Sequence, residues 1–169
     1  MTGGGSRGAD GDGLYRFTVS SIVPASPARV WERITTMEGI NHELMPIARM
    51  THPRGMTELD PAEVPIGRRL FRSWILLFGV LPIDYDDITL LRFTPGVGFA
   101  ESSPMLSQRR WDHERTLEDA HGACRVTDRI AFAPRVRLLG RMLRAVFHQV
   151  FLHRHRRLRA IFESRTESE

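Results

Sequence analysis

The residues best suited to chemistry sit in two strand-like segments, Ser107–Leu117 (SQRRWDHERTL) and Ala123–Phe132 (ACRVTDRIAF). Successive residues of a strand point to opposite faces. In the second segment Cys124, Val126, Ile130 and Phe132 therefore share a face, with Asp128 among them. In the first, Trp111 and Leu117 share a face with Arg109, His113 and Arg115. Pairing the segments about the turn EDAHG sets His113 opposite Asp128 and Trp111 opposite Ile130. A one-residue slip would undo this, because it turns every side chain over. A histidine oriented by an aspartate on an apolar wall is a candidate general acid or base, so His113 and Asp128 are the candidate catalytic residues. The same pair is also a way to satisfy polar groups inside a core, with Arg115 or Arg109 neutralising Asp128. The structural role is the first reading and the catalytic one the alternative.

A second concentration of chemistry is FHQVFLHRHRRL, Phe147–Leu158, which holds His148, His153 and His155 beside a cluster of arginines. From Arg135 to Phe162 the chain has no proline and one glycine, so it reads as one helix of roughly 28 residues, about 42 Å long. At 100° per residue, Leu139, Leu143, Val146, Phe147, Val150 and Ile161 gather on one face, with His148 and His155 opposite. His153 and His155 point in nearly opposite directions, so these histidines do not close on one metal. A zinc-binding helix would place them at i and i+4. No metal is expected. Arg154 and Arg157 fall near the apolar face. Their stems can pack while the heads reach the domain edge, or an Arg head can enter an internal space and meet a carboxylate. The basic side chains scatter around the helix rather than lining the side away from the core, which argues against nucleic acid.

The other motifs point away from familiar enzymes. In SWILLFGVLPIDYDD, Trp74, Leu76 and Phe78 alternate with Ile75 and Leu77, so both faces are apolar. Asp84, Asp86 and Asp87 lack the spacing and glycine of a calcium loop and read as a solvated strand end. There is no serine nucleophile elbow, Gly-rich dinucleotide loop or zinc signature. All 24 basic residues are Arg, which excludes Lys-based Schiff-base and P-loop chemistry. Cys124, the one cysteine, allows no internal disulfide and reads as core. No cofactor is expected.

The elements that must position these residues follow from the rest of the chain. Its 169 residues, 41% hydrophobic, suit one domain with a real core. Residues 1–13 (MTGGGSRGADGDG) read as a disordered tail, 14–162 as the domain and 163–169 as a polar tail. No apolar stretch of the kind a signal peptide needs stands near the start, and WILLFGVLP is shorter than the ~20 residues that span a bilayer. A soluble, cytoplasmic protein is the expectation. Leu14–Val23 alternates as a strand, with Tyr15, Phe17 and Val19 on one side. Ser26 and Pro27 begin a short helix, Gly39 ends it, and a second runs through Asn41–Leu44. After a loop over residues 52–67, strand-like runs separated by turns such as TPGVG and EDAHG predict an antiparallel meander. An α+β fold follows: a curved antiparallel sheet of about six to seven strands wrapped around the long C-terminal helix.

This order resembles the helix-grip fold of the START-like SRPBCC superfamily, which includes polyketide cyclases and lipid-transfer domains. The resemblance runs from Tyr15 to Phe162 and rests on Pro24-Ala25-Ser26 ahead of Val30-Trp31, then Trp111-x-His113-x-Arg115, then Thr127-Asp128-Arg129, then the terminal helix. It implies an apolar ligand held between sheet and helix. The expected function is therefore non-enzymatic binding, or transport, of a hydrophobic small molecule or lipid. Phe17, Trp74, Phe78, Phe93, Trp111, Phe132, Phe147 and Val150 are the candidate wall, and His113, Arg115 and Asp128 the polar anchors. One alternative is a polyketide cyclase- or aromatase-like enzyme using His113 as base. Another is association with an anionic membrane surface or acidic partner through the C-terminal segment, where nine of the 24 Arg lie between Arg135 and Arg165.

Overall fold

The computed structural model describes residues 9–166. In chain order the elements are β1 (Tyr15–Val23), helices α1 (Pro27–Ile34) and α2 (Met37–Leu44), β2 (Ala48–Met50), β3 (Arg69–Leu77), β4 (Leu81–Thr94), β5 (Gly98–Ser103), β6 (Gln108–Ala120) and β7 (Ala123–Pro134). A 3-10 turn at Arg137–Leu139 leads into α3 (Gly140–Thr166), 27 residues long. The strands form one antiparallel sheet in the order β1-β7-β6-β5-β4-β3-β2, curled as a half-barrel. The helix α3 packs against β1 and α2. This is the architecture expected from the sequence, with β2, only three residues long, as the strand the pattern did not show.

Local chemistry explains the helix starts. Ser26 caps α1 by accepting from the Arg29 N–H at 3.4 Å, and Pro27 follows in the first turn. The break between the helices falls at Thr35–Thr36 rather than at Gly39. Thr36 is the cap of α2 and accepts from the Gly39 N–H at 3.0 Å, so Gly39 lies inside that helix. A Cβ on Gly39 would stand 1.9 Å from the Arg33 carbonyl oxygen, so the residue allows α2 to start hard against the end of α1.

The β6–β7 register differs from the sequence reading by two residues. His113 is opposite Ile130, Arg115 opposite Asp128, and Trp111 opposite Phe132. The hairpin closes between Ala120 and Ala123, with His121 and Gly122 at φ 56° and 85° as the turn. Two successive positive φ angles are what a two-residue hairpin of the favoured hand requires. A shift of two keeps each side chain on its face, so Asp128 still points inward. Arg109 does not: an irregularity between Gln108 and Arg110 turns it outward, where it is exposed.

The interior is layered. One apolar cluster joins Val23, Val30, Trp31, Leu117, Val126, Leu158 and Phe162. A second joins Phe17, Val19, Trp111, Ile130, Phe132 and Phe151. Between them, on the same inward faces, lie the buried polar residues Asp128, Arg115, His113 and His155. Cys124 is buried in the first cluster, where burial pushes its thiol up to about 11, so it is an inert core residue.

At the termini, residues 1–8 of the expected tail lie outside the described residues. Asp10–Gly13 form a turn closed on Leu14, with Asp10 paired to Arg16 at 2.6 Å. The expected C-terminal tail is helical as far as Thr166.

Gly98, at φ 143°, opens β5, and a Cβ there would lie 2.1 Å from the Arg115 carbonyl oxygen. Gly98→Ala should therefore cost about 1–3 kcal/mol of stability. A urea unfolding midpoint unchanged from wild type would contradict this close approach.

Candidate functional site

The polar layer is built around Arg115, whose side chain is 1% exposed. Its Nε and Nη2 donate to the two oxygens of Asp128 at 2.8 and 2.7 Å. Its Nη1 reaches the Glu43 carboxylate at 3.0 and 3.1 Å. The planar guanidinium suits this double engagement, as an ammonium would not. Arg154 of α3 adds Nε to Glu43 at 3.1 Å. His113 and His155 approach Asp128 through their Nε2 atoms at 2.8 and 2.9 Å. An ionised carboxylate only accepts, so both Nε2 atoms carry hydrogen. Nδ1 of His155 then meets the Ser21 hydroxyl at 2.7 Å. Sheet, α2 and α3 are thus joined by one network in which two arginines balance two carboxylates.

Burial favours the neutral acid and pushes Asp128 up, but the charge of Arg115, followed by the contribution of His113 and the hydrogen bonds, holds it well below the usual carboxylate range. Burial likewise opposes ionisation of Glu43, and Arg115 with Arg154 outweighs it and holds the group low. Among the described residues no group of three or more His, Cys, Asp or Glu could hold a metal ion.

Beside the network lies a cavity of about 250 Å³ between the sheet and α3. It is small against the ~300–1,000 Å³ typical of ligand pockets. Its wall is mostly apolar, from Ile34 and Leu44 through Ile75, Leu77, Ile88 and Phe99. Of the residues singled out from sequence, Phe93, Trp111, His113, Arg115, Phe147 and Val150 line it. Asp128 does not; it is fully buried behind them. Phe17 and Phe132 are core residues packed on Phe151 and Phe147 at ring distances of 5.7 and 5.1 Å. Trp74 is exposed because the inward face of β3 is the one carrying Ile75 and Leu77, and Phe78 is exposed in the turn that follows β3, at φ 50°. Trp74 instead packs edge-on against Tyr85, with Arg72 over the other ring at 3.9 Å. A wider depression of about 430 Å³ lies over the outward side chains of Arg16, Thr18, Arg110, Asp112 and Glu114, several of them in exposed ion pairs.

Three sequence readings change here. His155, placed opposite the apolar face, is buried, because the inward stripe of α3 runs through Phe147, Phe151, Arg154, His155, Leu158 and Phe162. Arg154 takes the internal position, on a carboxylate. Arg157 is partly buried and donates to the His42 carbonyl. Asp84 and Asp86 are not a solvated strand end: both are buried, and only Asp87 faces outward to Arg72. Asp84 accepts from the Ser107 hydroxyl and the Tyr85 N–H. Asp86 lines the cavity with Glu101 of β5. The sequence reading also missed Glu43. Its signal was indirect: an inward Arg115 beside one inward aspartate leaves a donor that needs a second acceptor.

The curled antiparallel sheet and the long C-terminal helix packed on it form a helix-grip fold. A family model described as "Domain of unknown function (DUF8410)" matches residues 21–162, and the chain belongs to that family. No curated protein matches it in sequence. Among solved structures it is similar to a protein of Chromobacterium violaceum, with TM-score 0.65, 12% identity, and 88% of this chain and 97% of that one covered. It is similar to Ara h 8.0201, with TM-score 0.64, 12% identity, and 90% and 99% covered. It also matches the di-domain ARO/CYC StfQ from the steffimycin biosynthetic pathway, with TM-score 0.64 and 11% identity, covering 92% of this chain and 53% of that one. No helix among the described residues is long and apolar enough to cross a membrane.

Removing Arg115 would leave two buried carboxylates without their shared cation. Arg115→Met should lose about 3–5 kcal/mol at neutral pH, and a loss below about 1 kcal/mol would contradict the structural role. In the wild type, Asp128 and Glu43 are held low in the folded state, so the stability they contribute is complete above ordinary carboxylate values of roughly 4. It should fall as pH drops below that range through their folded values. Urea unfolding between pH 7 and pH 3 reads this directly, and the acid limb should flatten in Asp128→Asn.

Proposed function

We propose that the protein binds a small, largely apolar molecule in the cavity between the sheet and α3, without transforming it. The observation that carries this reading is the pairing of an apolar cavity with a polar network already complete in itself. Every nitrogen of Arg115 is engaged with Glu43 or Asp128, and Asp128 receives three side chains. Groups so engaged hold the wall of a site rather than waiting for a substrate. The fold shared with Ara h 8.0201 and StfQ supports an interior that can enclose a ligand.

Val150→Trp tests the reading by filling the cavity from α3. Organic-solvent extracts of the natively produced wild type should contain a stoichiometric apolar compound by mass spectrometry. Extracts of the variant, with unchanged circular dichroism, should lack it. Equal amounts in both would place the compound elsewhere.

A second reading is favoured by one observation. His113 is anchored by Nε2 on Asp128 and lines the cavity, an arrangement that leaves Nδ1 as a candidate base for cyclase-like chemistry. It predicts that His113→Gln, folded and still binding, loses turnover of a cavity-bound polyketide chain. Ligand bound without turnover by the wild type would count for the binding reading.

A further inference from the structure

The cavity has a second set of polar groups, separate from the Arg115 network. Asp86 of β4, 5% exposed, and Glu101 of β5 both line it. Glu101 is within hydrogen-bonding reach of Asp86, and Ser103 of the same strand donates to Glu101 at 2.9 Å while accepting from the Thr89 N–H of β4 at 3.1 Å. Asp86 Oδ1 is buried without a hydrogen-bond partner. Among the described residues neither carboxyl is in an ion pair. The charged and titratable groups around them are Asp84 on β4, His113 opposite Glu101 on β6, and Arg115 and Arg154 across the cavity. Both arginines are held by Glu43 and Asp128, and Asp84 adds only like charge.

The cavity's cations and anions therefore do not balance. The Arg115 network pairs its two arginines with two carboxylates, while the Asp86–Glu101 pair has no cationic side chain in an ion pair with it among the described residues. Burial first, and then Glu101 at close range, pushes Asp86 well above the usual carboxylate range. A buried charge left uncompensated in apolar surroundings is costly. A ligand that brings a positive charge to this wall relieves the imbalance, and one that brings a carboxylate worsens it.

Building on the binding reading above, we propose that the Asp86–Glu101 pair is the head-group site of the cavity and that its ligand class is apolar amines, bound as ammonium ions. The alkyl or aryl body packs among Ile75, Ile88, Phe93 and Phe99, and the ammonium donates to Asp86 and Glu101. Arg115 does not select for carboxylates, because each of its nitrogens is engaged on Glu43 or Asp128, and the charge of Arg154 is paired with Glu43.

Octylamine, 1-octanol and octanoate, titrated calorimetrically into the full-length, delipidated protein at pH 7, separate the possibilities. The amine should bind about tenfold or more tightly than the alcohol, with octanoate weakest, as expected of a charge-assisted contact in a dry site. Asp86→Asn and Glu101→Gln should each bring the amine down to the affinity of the alcohol while the alcohol itself still binds. Two variants guard against misfolding of one, and circular dichroism checks both. Alcohol and amine binding equally, or octanoate binding best, would overturn the head-group assignment and leave the binding reading standing. Failure of all three to bind would overturn both.

Discussion

A single guanidinium, that of Arg115, fixes how this fold closes. It projects from the middle of β6 into the interior, where a positive charge is tolerable only if every donor finds an acceptor. Asp128, directly across the hairpin, supplies one carboxylate and Glu43, from the end of α2, supplies the other. That second bond ties the short helices to the sheet. Arg154 and His155 then bring α3 to the same two carboxylates. The network lies between two apolar clusters, so any misplacement of α3 along the sheet would bury charge against hydrocarbon. Such a layer contributes less to net stability than hydrocarbon of equal volume would, but it penalises every alternative register.

The same constraint shapes the cavity. Because the nitrogens of Arg115, Nε and Nη2 of Arg154, and Nε2 of His113 are engaged on carboxylates, the wall on this side is less polar than its residue types suggest. His113 packs edge-on against Phe99 and Phe151, at ring distances of 5.0 and 5.2 Å, and Arg154 lies over Phe151 at 5.0 Å. The polarity that remains unanswered is on the neighbouring strands β4 and β5, at Asp86 and Glu101. A cavity whose arginines are paired and whose second acid pair is not would discriminate among head groups without any change in its apolar lining.

Much of the architecture was legible from sequence because it follows from periodicity and from caps with a mechanism. The alternation of β1, β6 and β7 and the Ser26-Pro27 helix start produced elements where expected, and the long C-terminal helix formed as well, beginning at Gly140 after a 3-10 turn rather than at Arg135. His113, Asp128 and Arg115 were legible as inward-facing for the same reason, since an even register error leaves facing unchanged. The remainder was hidden where polar residues occupy apolar positions. A helical wheel of α3 drawn from hydrophobic residues sets His155 outside, although Arg154 and His155 lie in the middle of its buried stripe. Glu43 and Arg115 are 72 positions apart, and nothing local in a short helix announces so distant a partner. Asp84 and Asp86 read as solvated by composition, whereas the curl of the sheet turns this part of β4 inward.

The central claim is that a closed ion network walls an apolar room, and diffraction from a crystal pressurised with xenon tests it most directly. Xenon occupies apolar cavities that water leaves empty. The account predicts xenon among Ile75, Ile88, Phe93 and Phe99, with Arg115 still bonded to both Glu43 and Asp128. Side chains or ordered waters filling that space, or an Arg115 head turned into the cavity and away from its carboxylates, would contradict it.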